Sequence, residues 1–466
     1  MRDHNIRIEP FEILNLISLT GEQEVNNHGT VTFSGIISSD KVSDYLSKGF
    51  GSTWVEISAL TEDEVEHLWF SGIITALEIE STNDVHILNV TARTGSFLMD
   101  SSLHTRSYQE PSIIYEDILE SYTNDYPDGN FIMKEGIGET INSLVLQYRE
   151  TDWEFTKRLA SHFNTVVIPD SKVGGVKYYF GIKPSPPVST IDTTIYKASI
   201  NLEEFKYKSN RDVDITEQDT LYHLLRHRDM FNLGEQIILN DRPLYISRIS
   251  TEFEGYELWH TYHLKPLAGF KVPKECNLCA IGASFYGTIL AVERDQVMVS
   301  LNNDENASDA GRRWFPYSTV YSSPDGTGWY AMPEIGDDIR LYLPEEDEGC
   351  AYVISSTHLE SSDSSERVNP DYKSIMNKHH KEVLFTPDAL IFTNNAGMSI
   401  QLLDEEGIRI ISDKAISIES GENIQIVSAK DNISVLALDK ILFQQGDTIT
   451  YIRENISFAG AQVHME

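Results

Sequence analysis

Residues 408–435 read IRIISDKAISIESGENIQIVSAKDNISV, and the pattern in this stretch continues to residue 458. Apolar residues stand in pairs two positions apart, and each pair begins 7 to 9 residues after the previous one. Period-two alternation interrupted by turn residues predicts short β-strands, and a short regular period predicts a stack of similar units. The fourteen paired residues are Ile408, Ile410, Ile416, Ile418, Ile424, Ile426, Ile433, Val435, Ile441, Phe443, Ile449, Tyr451, Ile456 and Phe458.

Each unit of this stretch offers only two apolar side chains on one face, and a single layer of short strands cannot bury them. Three identical chains wound about one axis would bury each pair against its two symmetry copies, at about 1.5–3 kcal/mol per side chain. The stretch therefore predicts a trimeric β-helix needle over residues 384–466, with the fourteen residues as its core. An ordinary antiparallel meander and a single-chain β-solenoid also fit the pattern.

The composition of the chain excludes several classes of function. The 466 residues include 37 Lys and Arg against 72 Asp and Glu, for a formal net charge of −35 at pH 7. Phosphate backbones and anionic membrane surfaces repel such a protein, so we expect no nucleic-acid partner. No apolar run approaches the roughly 18 residues of a membrane span. The first residues lack the apolar core of a signal peptide, so we expect synthesis in the cytoplasm and export without a cleaved signal.

The whole chain is predicted to be mainly β with a small α/β insert. Two helices are expected in the insert, one with Ser112 as its N-cap and one in which Thr151 and Glu154 form a capping box. A polar stretch from residue 359 to about 383 is predicted to be a linker. The predicted domains are a β-barrel at 1–105, the α/β insert at 106–190, a second β-barrel at 191–270, an OB-type barrel at 282–358 and the needle at 384–466.

The sequence contains no recognisable catalytic motif. It has no Gly-x-Ser-x-Gly elbow, no His-Glu-x-x-His and no phosphate-binding loop. Cys276 and Cys279 form a lone Cys-x-x-Cys without the second pair that a zinc site needs. We therefore predict that the protein is not an enzyme.

Two further stretches resemble a known family. One runs from Gly326 as Gly-Thr-Gly-Trp-Tyr-Ala-Met-Pro-Glu-Ile-Gly-Asp-Asp-Ile, and the other runs from Leu146 as Leu-Gln-Tyr-Arg-Glu-Thr-Asp-Trp-Glu-Phe-Thr-Lys-Arg-Leu. The first resembles the OB domain of VgrG and phage tail-spike proteins, and the second resembles a run in their hub portion. The order of hub, OB barrel and β-needle also agrees, so the resemblance covers nearly the whole chain.

This resemblance implies a homotrimeric hub and spike of a contractile injection machine, as found in phage tails, phage-tail-like bacteriocins and type VI secretion. It implies that tube-like hub barrels bind a ring of tube protein beside baseplate proteins. The needle would breach the target cell envelope when the sheath contracts, and a small protein could cap its tip. The alternative reading is a carbohydrate-binding β-solenoid adhesin or tail fibre.

The last residues of the needle suggest a metal site. His464 and Glu466 are two positions apart and share parity with Ile456 and Phe458, so three chains would bring three imidazoles and three carboxylates to the axis. Six such ligands suit an octahedral transition metal such as iron. Some relatives resemble this with a His-x-His pair, whose second His is replaced here by Glu466. The alternatives are a bulge that reverses the parity, a frayed terminus and a blunt platform for a capping protein.

Overall fold

The computed structural model describes residues 6–60, 66–356, 358 and 369–452. The chain divides into two compact units, residues 1–360 and 361–466, which are treated separately below. None of the helices in the described part of the chain is long and apolar enough to span a membrane.

The first unit begins with six strands in the order β1-β4-β5-β6-β3-β2. Their alternating apolar residues, among them Val31, Phe33 and Ile57, form one buried core. A helix that the sequence did not predict, α1, crosses between β3 and β4 and buries only Tyr45. The elements are β1 (Ile6–Glu9), β2 (Asn15–Glu24), β3 (Asn27–Ile37), α1 (Ser39–Ser47), β4 (Trp54–Leu60), β5 (Glu66–Thr82) and β6 (Val85–Arg93).

The α/β insert packs two helices against short strands. The capping box predicted for Thr151 and Glu154 is confirmed at the start of α3, whose Trp153 and Phe155 are fully buried. The N-cap predicted at Ser112 is wrong, because α2 begins at Tyr115 after Ile114. The elements are β7 (His104–Tyr108), α2 (Tyr115–Thr123), β8 (Asn130–Met133), β9 (Val145–Glu150), α3 (Asp152–Ser161), β10 (Val167–Pro169) and β11 (Lys177–Phe180).

Six more strands follow in the order β12-β15-β16-β17-β14-β13, which is the order of the first six. β16 also pairs with β2, so the strands of both halves belong to one twelve-stranded sheet among the described residues. A second unpredicted helix, α4, begins where the Asn201 side chain accepts a hydrogen bond from Glu204 N at 3.0 Å. The elements are β12 (Pro187–Ile191), β13 (Lys197–Ile200), α4 (Leu202–Ser209), β14 (Leu221–His227), β15 (Gln236–Leu239), β16 (Arg242–Glu254) and β17 (Glu257–Lys265).

The first unit ends in a closed five-stranded barrel with the order β18-β19-β20-β22-β21. β20 and β22 are parallel, and the other neighbours are antiparallel. Inward residues such as Ile289, Val299 and Leu341 fill its core. The strands are β18 (Ser284–Glu293), β19 (Gln296–Leu301), β20 (Phe315–Ser318), β21 (Asp338–Tyr342) and β22 (Tyr352–Ile354).

The second unit contains an antiparallel meander of five strands and a separate hairpin, with residues 412–440 outside any described strand ladder. The linker predicted to reach residue 383 is wrong at its end, because β23 and the start of β24 lie within it. The strands are β23 (Lys373–Met376), β24 (Glu382–Thr386), β25 (Ala389–Thr393), β26 (Ser399–Leu403), β27 (Gly407–Ile411), β28 (Ile441–Gln445) and β29 (Thr448–Ile452).

Candidate functional site: an apolar sheet face and the hub–barrel junction

One face of the C-terminal meander is almost entirely apolar. Residues directly opposite each other in antiparallel strands lie on the same face, so the register assigns every side chain of the meander to one face or the other. Two rows cross the sheet on the same face, here called the apolar face. They are Ile375–Val383–Phe392–Ile400–Ile410 and Phe385–Leu390–Leu402–Ile408.

This apolar face is open to solvent in the single chain. Ile400 is 46% exposed and Ile408 is 73% exposed. The opposite face mixes polar residues such as Gln401 and Arg409 with apolar ones. Because antiparallel sheets bury their apolar face and monomers rarely expose such a contiguous patch, this face has the character of an interface.

The predicted core residues that follow in the chain are also exposed. Ile416, Ile418, Ile424, Ile426, Ile433 and Val435 are all more than half exposed. The segment that carries them, 412–440, lies outside any described strand ladder, and its hydrogen bonds include the local one from Lys414 N to Ser412 Oγ at 3.1 Å. In a folded protein, backbone groups are normally paired by hydrogen bonds and apolar side chains are normally buried. This segment has no strand partner among the described residues, and its apolar side chains face water in the single chain.

The β28–β29 hairpin separates two of the predicted pairs. Phe443 lies opposite Thr450, and Ile449 lies opposite Gln444. Phe443 and Ile449 are therefore on opposite faces of this hairpin, and the single chain does not bring these two pairs together. The predicted core residues Ile456 and Phe458 and the predicted metal ligands His464 and Glu466 lie outside the described residues.

The predicted core residues begin at Ile408, so the sequence prediction missed the part of the apolar face that precedes Ile408. Val383, Phe385, Leu390, Phe392, Ile400 and Leu402 also stand in pairs two positions apart. Their spacing is less regular than that of the later pairs because the hairpin turns between β24, β25 and β26 differ in length. Alternation alone, without a regular period, was the signal that could have identified them.

A second feature joins the insert to the closed barrel through the buried guanidinium of Arg158, which is 3% exposed. Its Nε and Nη2 donate to the two carboxylate oxygens of Glu150, each at 2.8 Å. Its Nη1 donates to Glu348 Oε1 in the barrel at 3.1 Å. Leu146 N donates to the other oxygen of Glu348 at 3.0 Å. One cation thus holds α3, β9 and the barrel together.

The surroundings shift the pKa values of this group in understandable directions. Burial disfavours the charged form of Arg158, but Glu348 and Glu150 together raise its pKa above the ordinary value. Burial raises the pKa of Glu348, and Arg158 opposes that shift. Removing one member of such a group would leave a buried charge uncompensated, which is costly.

A parallel contact lies a few residues away. Arg106 Nη1 donates to Asp152 Oδ1 at 2.5 Å, and Gln147 Nε2 donates to the same oxygen at 2.8 Å. Glu305, in the loop after β19, accepts from Thr105 N at 3.1 Å and lies 2.7 Å from His104 Nδ1. Asp152 therefore ties β7 to the start of α3, and Glu305 ties β7 to the barrel.

Apolar packing reinforces this junction. Leu144 and Leu146 belong to the buried core of the barrel. The rings of Tyr148 and Phe285 meet edge to face, with centroids 4.8 Å apart. The insert and the barrel thus share one core.

The Pro-Glu-Ile-Gly-Asp-Asp-Ile stretch forms the turn into β21. Glu334 N donates to Asp337 Oδ2 at 2.9 Å, and Gly336 N donates to Ile289 O at 3.0 Å. Gly336 has a φ of +94°, in the region that glycine adopts most readily. These residues close the barrel structurally and bring no reactive groups together. No group of three or more His, Cys, Asp or Glu suited to a metal occurs among the described residues.

Comparison with known proteins identifies the fold. No protein-family model and no curated sequence matches the chain. The VgrG-containing structure of the lidded Francisella PdpA-VgrG complex aligns with a TM-score of 0.55 at 13% identity, covering 87% of this chain and 80% of that one. The E. coli c3393 protein, a type VI secretion component structurally similar to T4 bacteriophage tail proteins gp27 and gp5, aligns with a TM-score of 0.52 at 12% identity. That alignment covers 75% of this chain and 99% of that one. The chain has a VgrG-like tail-hub fold.

Proposed function

We propose that this chain is the hub and spike at the tip of the tube of a contractile injection machine. Residues 1–270 form the hub, and residues 282–358 form an OB-type barrel. Residues 384–466 form one of the three chains that wind together into a trimeric β-helix needle. The VgrG-like fold supports the hub, and the strand order of the closed barrel is that expected for an OB-type barrel.

The proposal of a trimeric needle rests on the exposed apolar surface of the second unit. The apolar face of the meander and the pairs from Ile416 to Val435 have no cover among the described residues. Three copies related by one axis bury all of these side chains against their own symmetry copies. Each buried side chain contributes about 1.5–3 kcal/mol before the cost of ordering the chain is subtracted.

The proposed role is mechanical and requires no catalysis. Sheath contraction supplies the work, and the needle delivers it to the envelope of the target cell. The hub–barrel junction at Arg158 and Arg106 keeps the barrel from shearing off the hub under load. The high negative charge keeps the particle soluble.

The partners follow from the same role. Two halves of equal strand order in each hub give six similar units in a trimer, which suits a six-fold ring of tube protein, with baseplate proteins around it. The tip carries a capping protein or an iron-like metal held by His464 and Glu466. The protein is made in the cytoplasm and leaves as part of a tail or injection particle.

Mass measurement on the native full-length protein tests the proposal. We expect three times the chain mass of 52.8 kDa, and electron microscopy should show a ring-shaped hub bearing one thin needle. A stable monomer would contradict the needle. A pull-down with the full-length protein should recover a tube or baseplate protein, whereas binding to purified cell-wall glycans without any tube partner would favour the alternative adhesin.

A further inference from the structure

The hub sheet contains one strand arrangement twice. The hairpin β5–β6 has a bulge between Ile74 and Ala76, and the hairpin β16–β17 has one between Ile246 and Arg248. Ile246 lies 172 residues after Ile74. The same shift relates the residues at the two hairpin tips, and it relates the 3-10 helices that follow the hairpins, Gly95–Asp100 and Leu267–Phe270. The two hairpins are therefore structural equivalents, residue by residue.

In the second half, the edge of the long strand is covered. One side of β16 pairs with β17 along its length. The other side pairs with β15 through residues 242–245 and then with β2 through residues 248–252. Arg248 Nη2 lies 3.0 Å from Glu22 Oε2 and adds an ion pair across this contact. It is this contact that joins the two halves into one sheet.

In the first half, the equivalent edge is free. β5 pairs with β4 through residues 66–73, as β16 pairs with β15. Residues 76–80 of β5 are the equivalents of 248–252, and they pair with β6 on one side. No described residue pairs with their other side. Unpaired edges of this kind are ready to accept another strand.

The strand that would fill this edge is also present and also free. Val31 of β3 pairs with Ala92, and His223 of β14 pairs with Leu264, 172 residues after Ala92, so Val31 and His223 are equivalents. Gly21 of β2 lies beside Val31, and Ala198 of β13 lies in the same way beside His223. β13 is therefore the equivalent of β2. Within the described part of the chain β13 pairs only with β14, so its outer edge has no neighbour.

We propose that β13 of one copy pairs antiparallel with residues 76–80 of β5 in a second copy, repeating between copies the β2–β16 contact within the chain. The register is transferred directly from that contact. Lys197 then faces Glu80, Ala198 faces Ile79, Ser199 faces Glu78, and Ile200 faces Leu77.

The residues that meet in this register suit each other. Lys197 and Glu80 are exposed and carry opposite charges, as do Arg248 and Glu22 in the contact within the chain. Ile200, which is 43% exposed, meets Leu77. Opposite charges and apolar pairs directly across an antiparallel ladder both stabilise it.

The contact is head to tail, so repeating it makes a closed ring or an open filament. Closure at three copies rests on the trimer proposed above, whereas the register does not depend on the number of copies. The first strands of the two halves, β1 and β12, are not part of the proposed contact. They are where the two halves differ, because β1 is antiparallel to β4 while β12 is parallel to β15.

Disulfide cross-linking of the full-length chain tests the register. With the three native cysteines replaced by serine, Ala198→Cys is combined with Ile79→Cys, and the protein is oxidised when dilute. We expect covalent species of two and three chains on a non-reducing gel. The control combines Ala198→Cys with Glu78→Cys, because neighbouring residues of a strand point to opposite faces and such cysteines cannot reach each other.

The outcomes separate the two proposals. Equal cross-linking of the two pairs in a protein of trimer mass overturns this register and leaves the hub-and-spike function standing. A monomer that forms no cross-link overturns both. Charge reversal gives a second test that needs no cysteine. Lys197→Glu should weaken association of the copies several-fold, and Glu80→Lys in the same chain should restore it, while a loss that Glu80→Lys deepens contradicts the pairing.

Discussion

Arg158 Nη1 lies 3.1 Å from Glu348 Oε1, which joins a helix of the hub insert to the barrel 190 residues further along the chain. The same guanidinium donates two hydrogen bonds to Glu150, so a single cation contacts two carboxylates. The stretch from Leu146 to Leu159 carries the family resemblance, and through Arg158 it also links the insert to the barrel.

Arg158→Met keeps the length of the side chain and removes the charge. It leaves Glu150 and Glu348 without their cation, and breaking a buried pair in this way costs about 3–5 kcal/mol. The free energy of unfolding, measured in denaturant at one protein concentration, should fall by that amount. Arg226→Met is the control, because the Arg226–Glu254 pair is on the surface and should contribute no more than about 1 kcal/mol.

Ile424→Asp separates the needle from the isolated chain. Ile424 is 54% exposed in the single chain, where the change would be nearly neutral, but at a trimer axis it buries three carboxylates together. Each buried unpaired ion costs several kcal/mol, so we expect a lower melting temperature and loss of the trimer. Ser428→Asp, between the pairs, should be mild. Equal melting temperatures for the two variants would count against an inward Ile424.

Ile400→Glu and Gln401→Glu are neighbouring changes on opposite faces of the meander. The first places a carboxylate in the centre of the apolar face, and the second replaces a polar residue by a polar one. If copies of the chain cover the apolar face, only Ile400→Glu should reduce the trimer fraction in native mass measurements. A trimer fraction unchanged in both variants would mean that the apolar face stays uncovered.

His260 should make the hub sensitive to acid. It is 1% exposed, its Nδ1 lies 2.8 Å from Thr251 Oγ1, and burial together with Lys172 and His227 lowers its pKa from 6.5 to about 4. Between those two pH values the unfolded chain binds a proton that the folded chain does not, so stability rises with pH there.

The loss from pH 7 to pH 5 should be about 2 kcal/mol for this histidine. His260→Gln should remove that part of the pH dependence of the unfolding free energy. His379→Gln, a change at an exposed residue of the second unit, should leave the dependence intact. The idea fails if His260→Gln and the original protein lose the same stability between the two pH values.

Elemental analysis of the purified trimer tests the proposed tip metal. If His464 and Glu466 hold an iron-like ion, the analysis should find about one metal per three chains, since six ligands fill one octahedral site. His464→Ala should abolish the metal without changing the trimer mass. A trimer free of metal would contradict the metal site and leave a frayed terminus or a platform for a capping protein as the alternatives.

The sequence by itself determined the features that depend on neighbouring residues. The capping box of Thr151 and Glu154 and the alternation of Ile408 and Ile410 involve residues no more than three positions apart, so their chemistry can be read directly. The helices α1 and α4 escaped prediction because they are short and bury little, and their positions depend on the strands around them.

Only the tertiary structure decided which distant residues meet. Phe443 and Ile449 both belong to the repeated apolar pairs of the sequence. The register of their hairpin nevertheless places them on opposite faces. The equivalence of Ile74 and Ile246 is invisible in residue types, since it lies in the bulges and strand order. Pairing in a sheet is set by backbone hydrogen bonds between segments far apart in the chain, and a shift of one residue would reverse every side chain.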